Sequence, residues 1–237
     1  MGRAHEVRKA AMAKTAAAKT KVYSKYGKEI LIAAKNGDPN PEMNLSLKRI
    51  IEKAKKDQVP ADIIKRAIDK ATSGAGEDYA PVRYEGFGPG ASTLIIECLT
   101  DNVNRSISDV KTCFNKSHAK IGVTGCVSHS YEHVSLLSVK GMTEEEILDA
   151  LMMAEVDILN IETDEDGEVL LTGSDTDLYN MKSALERDGV TFDIEEISWV
   201  TDEKVKLEGE DLELFERLIN NLEECDDVQN VYHNVEL

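Results

Sequence analysis

Over the first 74 residues apolar side chains recur at spacings of three and four and do not alternate, the mark of helices with one buried face. A long helix is predicted to end near Lys35, before the breaker run Asn36-Gly37-Asp38-Pro39-Asn40-Pro41. A second begins after Asn44, a good N-cap, carries Leu47, Ile50, Ile51 and Ala54 on one side, and ends near Asp57. A third follows Pro60, with Asp62 at its positive end and Ile63, Ile64, Ala67, Ile68 and Ala71 at helical spacing. Gly74 to Asp78 then reads as a linker.

From Val82 the texture changes to strands. Residues 82–85 alternate, Gly86 to Gly90 turn, and Ser92 to Leu99 supply a β-branched run, which together predict a hairpin. An amphipathic helix over Asn104–Lys116 and a strand over Val127–Tyr131 follow. Residues 134–199 then spell β-α-β-β-α-β: strand Val134–Val139, helix Thr143–Ala154, strands Val156–Glu162 and Val169–Thr172, helix Asp175–Asp188, strand Phe192–Trp199. That is the ferredoxin-like order. One helix (Glu210–Glu224) and one strand (Val228–Val235) remain, too little for a core of their own, so they are expected to complete the sheet opened at Val82. The expected fold is α+β with three domains: a helical domain over 1–76, a discontinuous α+β domain of 80–133 with 202–237, and a ferredoxin-like α+β domain over 134–201 inserted into it.

Composition excludes whole classes. Of the 237 residues, 41% are hydrophobic and only 5% aromatic, enough for cores but with few large anchors. No apolar run reaches the roughly 18 residues of a membrane helix, and no secretory signal or lipidation start is present, so a soluble cytoplasmic protein with no membrane partner is expected. Four scattered cysteines form no Cys-x-x-Cys pair, and reduced thiols are expected. Charge is divided steeply. Residues 1–74 hold 17 Lys and Arg against 8 Asp and Glu, whereas residues 134–237 hold 6 against 30, within a net charge of −17. The basic end can meet a polyanion that the acidic end repels.

Most other candidate sites fail on geometry. Cys126, His129 and His133 fall in a predicted strand, where four residues span about 13 Å and cannot share one ion. Glu162, Asp164, Asp166 and Gly167 resemble the start of a calcium loop, but Gly173 stands where the bidentate Glu belongs. Gly86-Phe87-Gly88-Pro89-Gly90 precedes a strand rather than a helix, which makes it a turn or a surface recognition loop and not a phosphate cradle. Gly122-Val123-Thr124-Gly125 matches a KH clamp only as a four-letter pattern. No nucleophile and base can be paired among the five histidines, so neither catalysis, metal nor cofactor is expected.

The first helix carries the strongest physical signal. At 100° per residue Lys14, Lys21, Lys25, Lys28 and Lys35 share an arc of about 80°, opposite Met12, Val22, Tyr26, Ile30 and Ala33. One face is expected to pack and the other to stay wet, although Ile32 intrudes on the lysine arc. Arg8 and Lys9 precede this row, and Lys48, Arg49, Lys53, Lys55, Lys56, Lys65 and Arg66 continue it. Arg8, Lys9, Lys14, Lys21, Lys25, Lys28, Lys35, Lys48 and Arg49 are therefore the candidate phosphate contacts. Lysines position a backbone but read no bases.

The run Arg83-Tyr84-Glu85-Gly86-Phe87-Gly88-Pro89-Gly90, followed by Glu97 to Asn102 and by Asn104-Arg105, closely resembles the YebC/PmpR family, which includes the mitochondrial translational activator of cytochrome c oxidase I. Gly37-Asp38-Pro39, Asn44, Lys53-Ala54, Pro60, Ile64 and Ala67-Ile68 extend the resemblance over essentially the whole chain. The opening Met1 to Lys9 is similar to the YeeN branch. The resemblance implies a three-domain, non-enzymatic, DNA-binding transcriptional regulator. It also implies a ribosome-associated translation factor, acting on ribosomal RNA and on stalls at proline-rich stretches, as the alternative. Tyr84, Phe87, Gly88, Asn102 and Arg105 are then a possible recognition loop. A protein-binding adaptor working through the acidic domain is the reading from another class. A monomer is slightly favoured.

Overall fold

Three helices occupy the first part of the computed structural model, which describes residues 19–74 and 78–236: α1 (Lys19–Asn36), α2 (Leu45–Lys56) and α3 (Ala61–Thr72). Asn44 fastens the first two together. Its Oδ1 accepts the Leu47 amide at 3.1 Å, capping α2, while its Nδ2 donates to the carbonyls of Ala33 and Asp38 at 2.9 Å. A Cβ at Gly37 would stand 2.6 Å from that Nδ2, so this approach needs glycine. Tyr26, Ile30, Leu47 and Ile64 bury as expected, in an apolar cluster whose members all lie between Val22 and Ala71.

After β1 (Ala80–Phe87) and β2 (Thr93–Thr100) the chain runs through α4 (Val103–Lys116) and β3 (Lys120–Ile121). It then passes through β4 (Glu132–Val139), α5 (Glu144–Met153), β5 (Asn160–Thr163), β6 (Val169–Ser174), α6 (Leu178–Leu185) and β7 (Glu195–Val200), and returns as α7 (Gly209–Glu224) and β8 (Val228–His233). Two antiparallel sheets result, ordered β3-β1-β2-β8 and β5-β6-β4-β7. The second order is that of a ferredoxin-like unit. The first is completed by the C-terminus, because β8 pairs with β2 from Leu94↔His233 to Cys98↔Val228. Leu94, Ile96 and Cys98 of β2 meet Val110 and Phe114 of α4 and Phe215, Leu218 and Leu222 of α7 in one core. The fold is α+β in three domains, with the ferredoxin-like unit inserted into the other sheet domain.

Residues 127–131 depart from the expected strand and form a 3-10 turn at Ser128–Ser130. Glu85 supplies the reason. Its carboxylate, 1% exposed on β1, accepts the amides of Gly125, Val127 and Ser128 at 3.0, 2.8 and 2.9 Å. Three donors converging on one carboxylate curl the chain where a ladder would have spread them. Burial works to raise the Glu85 carboxyl, but these amides outweigh it and hold the group below its ordinary value. Among the described helices none is long and apolar enough to cross a membrane.

Candidate nucleic-acid interface

The lysine face of α1 is not wet. Lys21 Nζ donates to the Glu224 carbonyl at 2.7 Å, Lys25 Nζ to the Gln229 carbonyl at 3.1 Å, and Lys28 Nζ to the Asp226 carbonyl at 2.8 Å and to Asp227 Oδ1 at 3.0 Å. Part of the cause lies in α7, which has no basic residue in its last turn, so that Lys21 meets its final carbonyl and its negative end from another domain. Lys28 reaches past the helix to the turn at Asp226 and Asp227, and Lys25 to Gln229 in β8. Lys35 continues the row to Asp78 at 3.0 Å. Arg8, Lys9 and Lys14 lie outside the described residues.

Asp227 is the centre of this junction. Besides Lys28 it accepts Thr100 Oγ1 at 2.8 Å and Arg105 Nη2 at 3.0 Å, with its side chain 8% exposed. Burial alone would raise its carboxyl, but the bonds from Thr100, Lys28 and Arg105 prevail and keep it low. The sequence offered only an acidic run, Glu223 to Asp227, as a signal for it, and nothing in that run marks which carboxylate is enclosed.

Solvent-facing cations are densest on α2 and α3, and others are spread over the remaining surface, among them Lys111, Lys116 and Lys120. Lys53, Lys55, Lys56, Lys65, Arg66 and Lys70 are exposed, while Lys48 and Arg49 are half-buried. Lys48 pairs with Glu42 at 3.2 Å. Lys56 reaches the ferredoxin-like unit, donating to the Phe192 carbonyl at 3.1 Å, and Lys182 of that unit bridges Glu52 and Glu195 at 3.3 and 3.0 Å.

The possible recognition loop is mostly scaffold. Asn102 caps α4 by accepting the Arg105 amide at 3.1 Å, and Arg105 is spent on Asp101 and Asp227. Tyr84 packs against the core of its sheet. Gly88 closes the turn, its amide donating to the Ser92 carbonyl at 2.8 Å, and a Cβ there would meet Ser92 Oγ at 2.4 Å. Phe87 presents a large apolar side chain outward, 44% exposed, and the Arg105 side chain is 48% exposed although its guanidinium is paired. Phe87 stands opposite the exposed Lys120 in the β1–β3 register. His133 pairs with Asp175 at 2.8 Å and lies over Trp199, and among the described residues no trio of His, Cys, Asp or Glu is grouped to hold a metal.

Models of two protein families account for nearly all of the chain: the TACO1/YebC protein N-terminal domain over residues 3–74, and the TACO1/YebC second and third domain over residues 79–235. The chain belongs to the TACO1/YebC family. A probable transcriptional regulatory protein of Vibrio parahaemolyticus is 54% identical to it, with 100% of both chains covered. Another, from Alteromonas mediterranea, is 52% identical over 99% of this chain and 98% of its own. The crystal structure of a conserved hypothetical protein from Aquifex aeolicus superposes with a TM-score of 0.78 at 35% identity, covering 94% of this chain and 93% of that one. In this TACO1/YebC chain the boundary between the two matched models, residues 74–79, falls at the linker between α3 and β1.

Proposed function

We propose that the protein is a non-enzymatic, cytoplasmic regulator that binds nucleic acid through its helical domain, with transcription as the process regulated. One observation carries the reading: in a chain of net charge −17 the exposed cations are most crowded along α2 and α3, with few acidic neighbours, while the ferredoxin-like unit and the C-terminus hold most of the acid. A polyanion is drawn to one end and turned away from the other, which orients it without any base contact. The names of the Vibrio and Alteromonas relatives support a regulator. Ribosomal RNA presents the same phosphates as duplex DNA, so action on translation through the ribosome is the companion reading.

Titration of the full chain with duplex DNA and with a ribosomal RNA fragment over a range of salt separates the two. Replacing Lys55, Lys65 and Lys70 by Glu is expected to weaken binding to unrelated sequences alike. Each lost phosphate contact should flatten the log–log salt slope by about 0.9 on duplex DNA or about 0.7 on single strands. A folded triple variant with unchanged affinity and slope on both ligands rejects this surface.

A further inference from the structure

We propose that the α1 lysine row is a reversible clasp: nucleic-acid phosphates compete with the segment from the end of α7 into β8, residues 224–229, for Lys21, Lys25 and Lys28, and binding thereby releases the helical domain from that segment. This rests on the nucleic-acid reading above and adds a conformational step to it. Each of the three amines donates to a neutral main-chain carbonyl, and Lys28 also to the Asp227 carboxylate. An ammonium bonded to a phosphate oxygen gains a charge-assisted bond and releases counterions, so a polyanion is the stronger acceptor.

The seam is built to part. Among the described residues the helical domain's apolar cluster lies within Val22–Ala71, and ion pairs cross from α1 and α2 to the other domains at Lys28–Asp227, Lys56–Glu195 and Glu52–Lys182. The pairs of Lys56 and Glu52 are partly exposed, screened by salt and contribute little each, whereas Lys28–Asp227 is largely enclosed and is the contact that a polyanion has to replace. An open cleft of about 350 Å³ also interrupts the seam, with Ile32, Ala33 and Ile50 on one side and Leu99 on the other. Opening does not orphan the buried acceptor, because Asp227 keeps Thr100 and Arg105 when Lys28 leaves.

The test locks and releases one protein. In a Cys126→Ser, Cys225→Ser background, Lys21→Cys and Glu224→Cys are joined by a short cleavable bismaleimide, which holds α1 on α7 while Lys25 and Lys28 remain. After cleavage by reductant the same protein should bind duplex DNA more tightly, with a salt slope steeper by about 1.8, about 0.9 for each lysine returned to phosphate. Scattering from the wild-type chain should show a larger radius of gyration once linear polyphosphate or DNA is added. Equal affinity and slope in the locked and released forms would overturn the clasp even though nucleic acid binds. If neither form binds nucleic acid while polyphosphate still expands the wild-type chain, the nucleic-acid reading falls and the clasp as a polyanion-opened contact stands. With neither binding nor expansion, both fall.

Discussion

Trp199, the chain's one tryptophan, donates its indole N–H to Glu97 at 3.0 Å and thereby ties β7 of the ferredoxin-like unit to β2 of the other sheet. The Glu97 carboxylate also accepts Asn230 Nδ2 at 3.3 Å and the Tyr232 hydroxyl at 3.2 Å. Arg83 and His133 lie against the indole at 4.8 and 4.5 Å. Replacing Glu97 by Gln keeps the shape but removes the charge and one acceptor, so the bonds from three half-buried donors are weakened or lost. A loss of about 1–3 kcal/mol is expected, because a buried donor left unpaired costs its full desolvation. Urea unfolding would measure it. The emission of Trp199 should shift in the folded variant, reporting the seam directly.

The domain division itself is open to test. We propose that residues 134–201 fold alone, because the cluster of Leu137, Ile147, Leu171 and Met181 is complete within them. Residues 80–133 should not fold without 202–237, since Phe215, Leu218 and Leu222 of α7 fill the core over Phe114. Amide exchange on the separate fragments decides this. Strong protection in an isolated 80–133 fragment contradicts the insertion.

Long periodic segments were legible in the sequence because local spacing and burial agreed there. Ile30, Leu47 and Ile64 occupy the helical core as their spacing predicted, and the β-α-β-β-α-β order of 134–199 appears as expected. What was not legible depended on partners distant in the chain. Val127 to Tyr131 carry β-forming side chains, yet Glu85, 42 residues before Val127, fixes their amides in a turn. The α1 lysines look solvated from their own helix alone. Only the end of α7 and the start of β8, about 200 residues on, make their face a contact. A family motif does not distinguish a cap or an ion pair from a ligand contact, and Asn102 caps α4 while Arg105 pairs with Asp227.

Glu85 should be intolerant of truncation. Glu85→Ala removes the acceptor of three amides in a nearly dry site, with an expected loss of at least about 2 kcal/mol. Fast amide exchange should appear at Gly125, Val127 and Ser128, while β5 and β6 in the other sheet keep their protection. Equal exchange at those three amides in variant and wild type would sink this account of the 3-10 turn.

Acid should open the same molecule from the C-terminal side. Asp227 and Glu85 both have folded carboxyl values held below the ordinary one, by Thr100, Lys28 and Arg105 in one case and by backbone amides in the other. Their contribution is therefore fully present above the unfolded value near pH 4 and drains as pH falls through the lower folded values. Stability to urea should be flat in these groups near neutrality and should fall steeply below about pH 4. In Asp227→Asn the amide can still accept from Thr100 or Arg105 but no longer carries the charge that faces Lys28. The variant should be less stable at pH 7, by about 1.5–3 kcal/mol on the scale of hydrogen bonds to charged groups. It should also lose less than the wild type between pH 5 and pH 3, since one of the titrating carboxyls is gone. Parallel curves for variant and wild type across that window would mean that Asp227 is not held low, and that Lys28 and Arg105 do not grip it in solution.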